Sequence, residues 1–226
     1  MLFLIDNTSK IIFGWSAKCA CSHIKKIFWF LQNKKIDNPI HTWRDSSYLP
    51  YDIQNYTTIL FCRNPYKRIV SGFLDKYSKD GEFRHLWKYD TITFSKFVDT
   101  LLNNHAEIID YHHFAPQTSE NFNEDILIHS KSMTIYDIEN INYKHIESLY
   151  NTAIPDELLT FRGGHEKKSK DITFEGDIVY DLDMALYSNY DVPIQKFYNE
   201  EIKKKVDGYY IHDFSFFKKH GFKYEL

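Results

Sequence analysis

Two short stretches concentrate the groups that hold an anion. The first, residues 15–25 (WSAKCACSHIK), sets one lysine, Lys18, among residues small enough for the backbone to come close to oxygen atoms: Ala17, Cys19, Ala20 and Ser22. Lys18 brings a mobile positive charge and Ser22 a hydroxyl donor, with Cys21 and His23 beside them. The second, residues 63–71 (RNPYKRIVS), opens on Arg63 and carries Arg68 and Ser71. A guanidinium meets phosphate oxygens through paired N–H groups, so the chemistry suggested is the binding of phosphate or a similar oxyanion at two points. An ordinary strand-to-helix turn with a surface lysine would carry the first set equally well, because no G-x-x-x-x-G-K-[ST] pattern is present. In the second, Arg68 could equally pair with a carboxylate and Ser71 lie on a helix surface.

The elements that must position these residues are legible around them. Residues 11–15 (IIFGW) form an apolar run of strand length, and Ile24, Ile27, Phe28 and Leu31 then recur at helical spacing. The loop between them leads into a helix N-terminus, where unpaired N–H groups and the helix dipole favour an anion. Residues 58–62 (TILFC) predict a second buried strand, after which Asn64 can cap and Pro65 can open a helix with Ile69, Val70, Phe73 and Leu74 on one face. Arg63 then stands at the carboxyl end of a parallel strand, where α/β sheets bind ligands.

Two strand–loop–helix units predict an α/β fold: a single domain over residues 1–226, with a central parallel sheet flanked by helices. Thr93 followed by Phe94, Phe97, Val98 and Leu101 predicts a further helix. Residues 125–138 read as two strand-like stretches, residues 193–206 as a late helix, and residues 161–178 as an exposed charged loop.

The bulk properties narrow the class. The chain has 226 residues, 43% hydrophobic and 26% charged, which is ordinary for a globular protein. A net charge of -3 gives no general attraction to nucleic acid or anionic membrane, so an anion site must be local. The 17 tyrosines and 18 phenylalanines are read mainly as core filling. Cys19, Cys21 and Cys62 form an odd set and a poor disulfide framework, which points to a reducing compartment. No segment approaches the roughly 20 apolar residues that a membrane-spanning helix needs, so the chain reads as soluble.

Taken together, the two loops resemble the 5′-phosphosulfate loop and the 3′-phosphate motif of sulfotransferases that use 3′-phosphoadenosine 5′-phosphosulfate (PAPS). The carbohydrate (Golgi-type) branch is the nearest likeness. AKCACSHIK is similar to its P-K-x-G-C-[TS]-x-x-K at Lys18, Cys21, Ser22 and Lys25, and RNPYKRIVSGFLDK to its R-[DN]-P-[YF]-x-R-[LI]-V-S-[AG]-[YF]-x-x-K almost throughout. HHFAPQ (residues 112–117) resembles its H-[WF]-x-P-Q segment, and residues 210–224 its closing Y-x-x-D-F-x-x-F…G-Y. Ala17 and Ala20 depart from the usual proline and glycine, and a β-carbon at position 20 calls for a negative φ or a loop of different shape.

The resemblance implies in-line sulfuryl transfer from PAPS to a hydroxyl, most naturally that of a carbohydrate, with 3′-phosphoadenosine 5′-phosphate (PAP) as the other product. By the same resemblance, Lys18 neutralises the oxygen bridging sulfur and the 5′-phosphate. Residues 18–23 (Lys18, Cys19, Ala20, Cys21, Ser22, His23) wrap the phosphosulfate, and Arg63 and Ser71 hold the 3′-phosphate. His113 matches the histidine of H-[WF]-x-P-Q and is the first candidate for general base, with His112 and His23 behind it; His23 could instead donate to phosphosulfate oxygens. The cations Arg162, His165, Lys167 and Lys168 read as a solvated loop or as a cover over an anionic group.

No metal is expected, since a transferred sulfuryl carries less charge than a phosphoryl and no H-E-x-x-H or C-x-x-C pattern occurs. Nor is nucleic acid an expected partner. Two other readings share these residues: a nucleotide or small-molecule kinase, and a non-catalytic protein that binds PAP or an anionic glycan. Members of the carbohydrate branch commonly sit behind a membrane anchor; without one, a cytoplasmic location is expected.

Overall fold

The computed structural model of the chain describes residues 1–36, 45–103, 107–119, 122–161, 179–184 and 192–226. The elements begin with β1 (Leu2–Asp6), β2 (Ile11–Trp15), α1 (Cys21–Asn33), β3 (Thr57–Cys62) and α2 (Pro65–Tyr77). They continue with α3 (Phe94–Leu102), α4 (Tyr111–Phe114), α5 (Glu124–Leu127), β4 (Ser132–Asp137), α6 (Tyr143–Tyr150), α7 (Asp156–Leu159), α8 (Glu200–Tyr209) and α9 (Ile211–Lys219). The chain forms two compact units, Met1–Arg63 with Gln117–Gly164, and Asn64–Pro116 with His165–Leu226. Each unit is thus assembled from two separate stretches of chain.

The first unit holds a four-stranded sheet in the order β1-β2-β3-β4. β2, β3 and β4 run parallel, as the two strand–loop–helix patterns require, and helices flank them in an α/β fold. β1 is an addition to the expected set: it pairs antiparallel with β2, Leu2 opposite Trp15 through Asp6 opposite Ile11. The short run LFLID looks unremarkable in sequence, yet an apolar strand of five residues laid on β2 covers an otherwise bare sheet edge. Phe13, Trp15, Ile59 and Phe61 pack against Ile24, Ile27, Phe28 and Leu31 of α1 and against Ile146, Ile154 and Leu158. β2 and β3 are buried along their whole lengths, which accounts for their unbroken apolar runs.

The stretch read as two strands holds one. Asn123 accepts from Ile126 N–H and caps α5, whose first turn carries Glu124 and Asp125, so only residues 132–137 extend as a strand.

The second unit is helical around an aromatic core. Phe97 contacts Phe73, Tyr77 and Phe114 with ring centroids 5.0, 5.2 and 4.7 Å apart, and Phe94 contacts Phe73 at 5.3 Å. Much of the aromatic content is therefore packing. α2 starts as expected: the Asn64 side chain accepts from Tyr66 N–H, with Pro65 in the first turn. Thr93 caps α3 through Lys96 N–H. Gly72 lets α2 approach α4 closely, since a Cβ there would lie 2.6 Å from the Phe114 ring.

The late helix begins later than expected. Pro193 leads into a 3-10 turn, Ile194–Phe197, and α8 starts only after Asn199, which accepts from Ile202 N–H. The charged loop with Arg162, His165, Lys167 and Lys168 lies outside the described residues. Among the described residues no helix is long and apolar enough to cross a membrane.

Candidate functional site

The residues expected to bind phosphate and sulfuryl groups divide between the units. Lys18, Cys19, Ala20, Cys21, Ser22, His23 and Arg63 belong to the first, and Ser71 and His113 to the second.

In the first unit β2 ends at Trp15 and α1 starts at Cys21, so residues 16–20 make the turn. Cys19 N–H donates to Ser16 O at 3.1 Å, and both Lys18 (φ 65°) and Ala20 (φ 55°) take the left-handed conformation. The expectation of a negative φ at position 20 is therefore corrected. Alanine stands in the conformation that favours glycine, at a cost of roughly 1–2 kcal/mol, and the loop keeps the sharp turn that a glycine would give. Ala20 is the N-cap of α1 and supplies no side-chain acceptor, and the first turn carries no acidic residue. Neither the cap side chain nor a carboxylate of the first turn therefore neutralises the positive end of the helix, and Ser22 is half-buried in that turn.

Not every residue of the loop faces outward chemistry. The Cys19 thiol is fully buried and donates to Gln117 Oε1 at 3.1 Å, so its N–H and its thiol both serve the shape of the loop. His23 Nδ1 lies 2.9 Å from Phe161 O, which fixes the proton on Nδ1, and Nε2 accepts from the Tyr143 hydroxyl at 2.8 Å. Both ring nitrogens are thus engaged within the protein. Lys25 pairs with Asp45 at 2.7 Å and lies over the Trp15 ring, while Asp45 also accepts from Trp15 Nε1. Lys25 thus braces the strand end, and Lys18 is the lysine of the turn itself.

Arg63 follows the last residue of β3. Its Nη1 donates to Lys18 O at 3.1 Å, tying the second motif to the left-handed residue of the first. Its main chain runs one residue past the ladder that ends at Cys62 opposite Asp137. Gln117 takes over there: Oε1 accepts from Arg63 N–H at 3.0 Å and Nε2 donates to Arg63 O at 2.9 Å. The fully buried Gln117 amide therefore acts as a strand neighbour for Arg63 and as acceptor for Cys19. Sequence reasoning passed over it: the glutamine closes the HHFAPQ segment, but function was sought in the histidines.

In the second unit Ser71 is half-buried on α2. Arg68 is 1% exposed and donates to Ala115 O at 2.7 Å, so its guanidinium serves the packing of the helical unit. Tyr210 donates to Phe114 O at 2.7 Å, so the carbonyl end of α4 is held by two buried side chains. At its other end Asp110 caps the helix through His112 N–H and hydrogen-bonds His113 Nδ1. Burial pushes the Asp110 carboxyl up, but the hydrogen bond and charge of His113 outweigh it, and its pKa lies below the ordinary carboxylate value.

All three cysteines are free; Cys19 and Cys62 are buried, with Cys62 donating to Tyr136 O at 3.3 Å, as packing thiols do.

A search of curated proteins and a search of solved structures each return no match. The model of the sulfotransferase family matches residues 1–220, a span that takes in both loop motifs, the HHFAPQ segment and the whole of α9, and the chain belongs to that family.

Proposed function

We propose that the sulfuryl group this chain transfers comes from PAPS and goes to a hydroxyl of a carbohydrate. The carrying observation is the bond from Arg63 Nη1 to Lys18 O, with Gln117 bound to both Arg63 and Cys19. A donor with a phosphosulfate at one end and a 3′-phosphate at the other needs two anion sites set at a constant separation. These bonds hold Arg63, which opens the second motif, against the loop that carries the first. The likeness of RNPYKRIVSGFLDK and HHFAPQ to the carbohydrate branch supports the acceptor class.

Each residue has a definite task in this reading. Lys18 neutralises the bridging oxygen as the sulfur–oxygen bond breaks, and Ser22 with the first-turn N–H groups binds the 5′-phosphate. Arg63 binds the 3′-phosphate, with Ser71 assigned to the same group by its motif. His113 removes the acceptor proton. Positioning and charge stabilisation are the main requirements, as in phosphoryl transfer. Residues 1–226 act as one sulfotransferase domain, since the family match runs through both units. The free thiols fit a reducing compartment, and a cytoplasmic location is part of the reading.

The test is the thermal unfolding midpoint with PAP compared with AMP, ADP and ATP with Mg²⁺, followed by transfer of labelled sulfuryl from PAPS to a panel of sugars. Saturating PAP at about 100 times its Kd stabilises by about 2.7 kcal/mol, and the adenylates without a 3′-phosphate have little effect. A response to ATP and not to PAP transfers the chain to the kinase reading. PAP binding without turnover on any acceptor leaves a binding protein.

A further inference from the structure

We infer that Asp110 is a positioning residue for the catalytic base, holding His113 with its proton on Nδ1 so that Nε2 receives the proton of the acceptor. This rests on the assignment of His113 as base and adds the carboxylate behind it. An ionised carboxylate only accepts hydrogen bonds, so the nitrogen that faces Asp110 must carry the hydrogen. The lone pair is then on Nε2, the arrangement by which a carboxylate orients a catalytic imidazole elsewhere.

Asp110 is itself held on both sides. Its carboxylate caps α4 through His112 N–H at 3.3 Å, and its own N–H donates to the Tyr77 hydroxyl at 3.1 Å. Tyr77 is fully buried and donates in turn to Ile108 O at 2.8 Å. Other charged groups stand near the ring among the described residues. Glu82 interacts with His113 but is ion-paired to Lys76 at 2.6 Å, Lys76 also lies 3.5 Å from Asp75, and the His112 ring stands 5.1 Å from the His113 ring. Asp110 hydrogen-bonds the imidazole directly.

During transfer the acceptor oxygen bonds to sulfur, the bond from sulfur to the 5′-phosphate oxygen breaks, and the acceptor proton passes to Nε2. The products are the sulfate ester, PAP and an imidazolium ion, whose charge Asp110 stabilises.

The experiment compares Asp110→Asn, which keeps a capping side chain and loses the charge, with Asp110→Ser, which keeps a cap too short to reach the ring. Expected for both is a fall in kcat of about 10²- to 10⁴-fold with PAP affinity unchanged, and displacement of the acid limb of the pH–rate profile. Ring ¹⁵N spectra, read without donor or acceptor, show Nδ1–H for His113 in the parent and lose that preference in Asp110→Asn. Full activity with an unchanged profile in either variant overturns the inference. So does a loss of activity without any change of tautomer, because Asp110 then serves only the helix. A His113→Ala variant with parental turnover overturns the base assignment instead, and leaves the tautomer result to stand by itself.

Discussion

Gln117 brackets Arg63 from 54 residues away, accepting from its N–H at 3.0 Å and donating to its carbonyl at 2.9 Å. The same amide oxygen accepts a hydrogen bond from the Cys19 thiol, so one buried side chain joins the ends of two strand-to-helix turns. This pairing ties Arg63, the first residue of the second motif, to the loop that carries the first.

Gln117→Ala leaves the Arg63 N–H and carbonyl and the Cys19 thiol without these partners inside the protein. The expected loss of stability is on the order of 3 kcal/mol, read as a lower urea midpoint. PAP affinity falls in parallel, because the loops are no longer held together. An unchanged midpoint shows that Gln117 does not carry these bonds in solution.

Ala20→Gly removes a left-handed alanine at φ 55° and ψ 32°. The gain is about 1 kcal/mol or somewhat less, since glycine also loses more backbone entropy on folding. Differential scanning calorimetry reads it as a higher Tm. Ala20→Val goes the other way, because a β-branched residue is worse still in that conformation.

Lys18 and Arg63 are separable by which quantity they change. Lys18→Ala abolishes transfer and leaves PAP affinity within about tenfold, as expected for a charge used mainly in the transition state. Arg63→Ala weakens PAP binding by about 2–3 kcal/mol, and it also releases Lys18 O. Titration calorimetry with PAP beside single-turnover rates with PAPS distinguishes them, and equal effects of both variants on both quantities contradict the assignment.

Tyr66 and Tyr77 are among the buried tyrosines of the helical unit that make stability fall in alkali. Burial first, and then the neighbouring Asp207, push the Tyr66 hydroxyl up to about 12, while burial does the same for Tyr77 despite the N–H bond from Asp110. The unfolded chain ionises its tyrosines near pH 10, so above that pH the unfolded state binds fewer protons than the folded one. Their contribution is complete below about pH 10 and is lost as pH rises toward 12. Urea midpoints followed from about pH 8 to pH 11 decline at the upper end, and Tyr77→Phe flattens that decline.

What the sequence determined by itself is the local part. β2 with α1, and β3 with α2, follow from apolar runs and helical spacing that act within about ten residues, and Asn64 with Pro65 or Thr93 mark helix starts through bonds to the next few N–H groups. The family likeness was also legible, because it resides in contiguous motifs. The antiparallel β1, the left-handed Ala20, the Gln117 pairing and the Asp110–His113 contact became visible only in three dimensions. Asp110 and His113 are close in sequence, but which side chain turns to which depends on Tyr77, Arg68 and Tyr210 clamping α4 from other parts of the chain. Long-range hydrogen bonds form where burial brings distant segments together and their polar groups must be satisfied. No local spacing encodes that meeting, and in this protein it decides that Cys19, Gln117 and the left-handed Ala20 shape the loops.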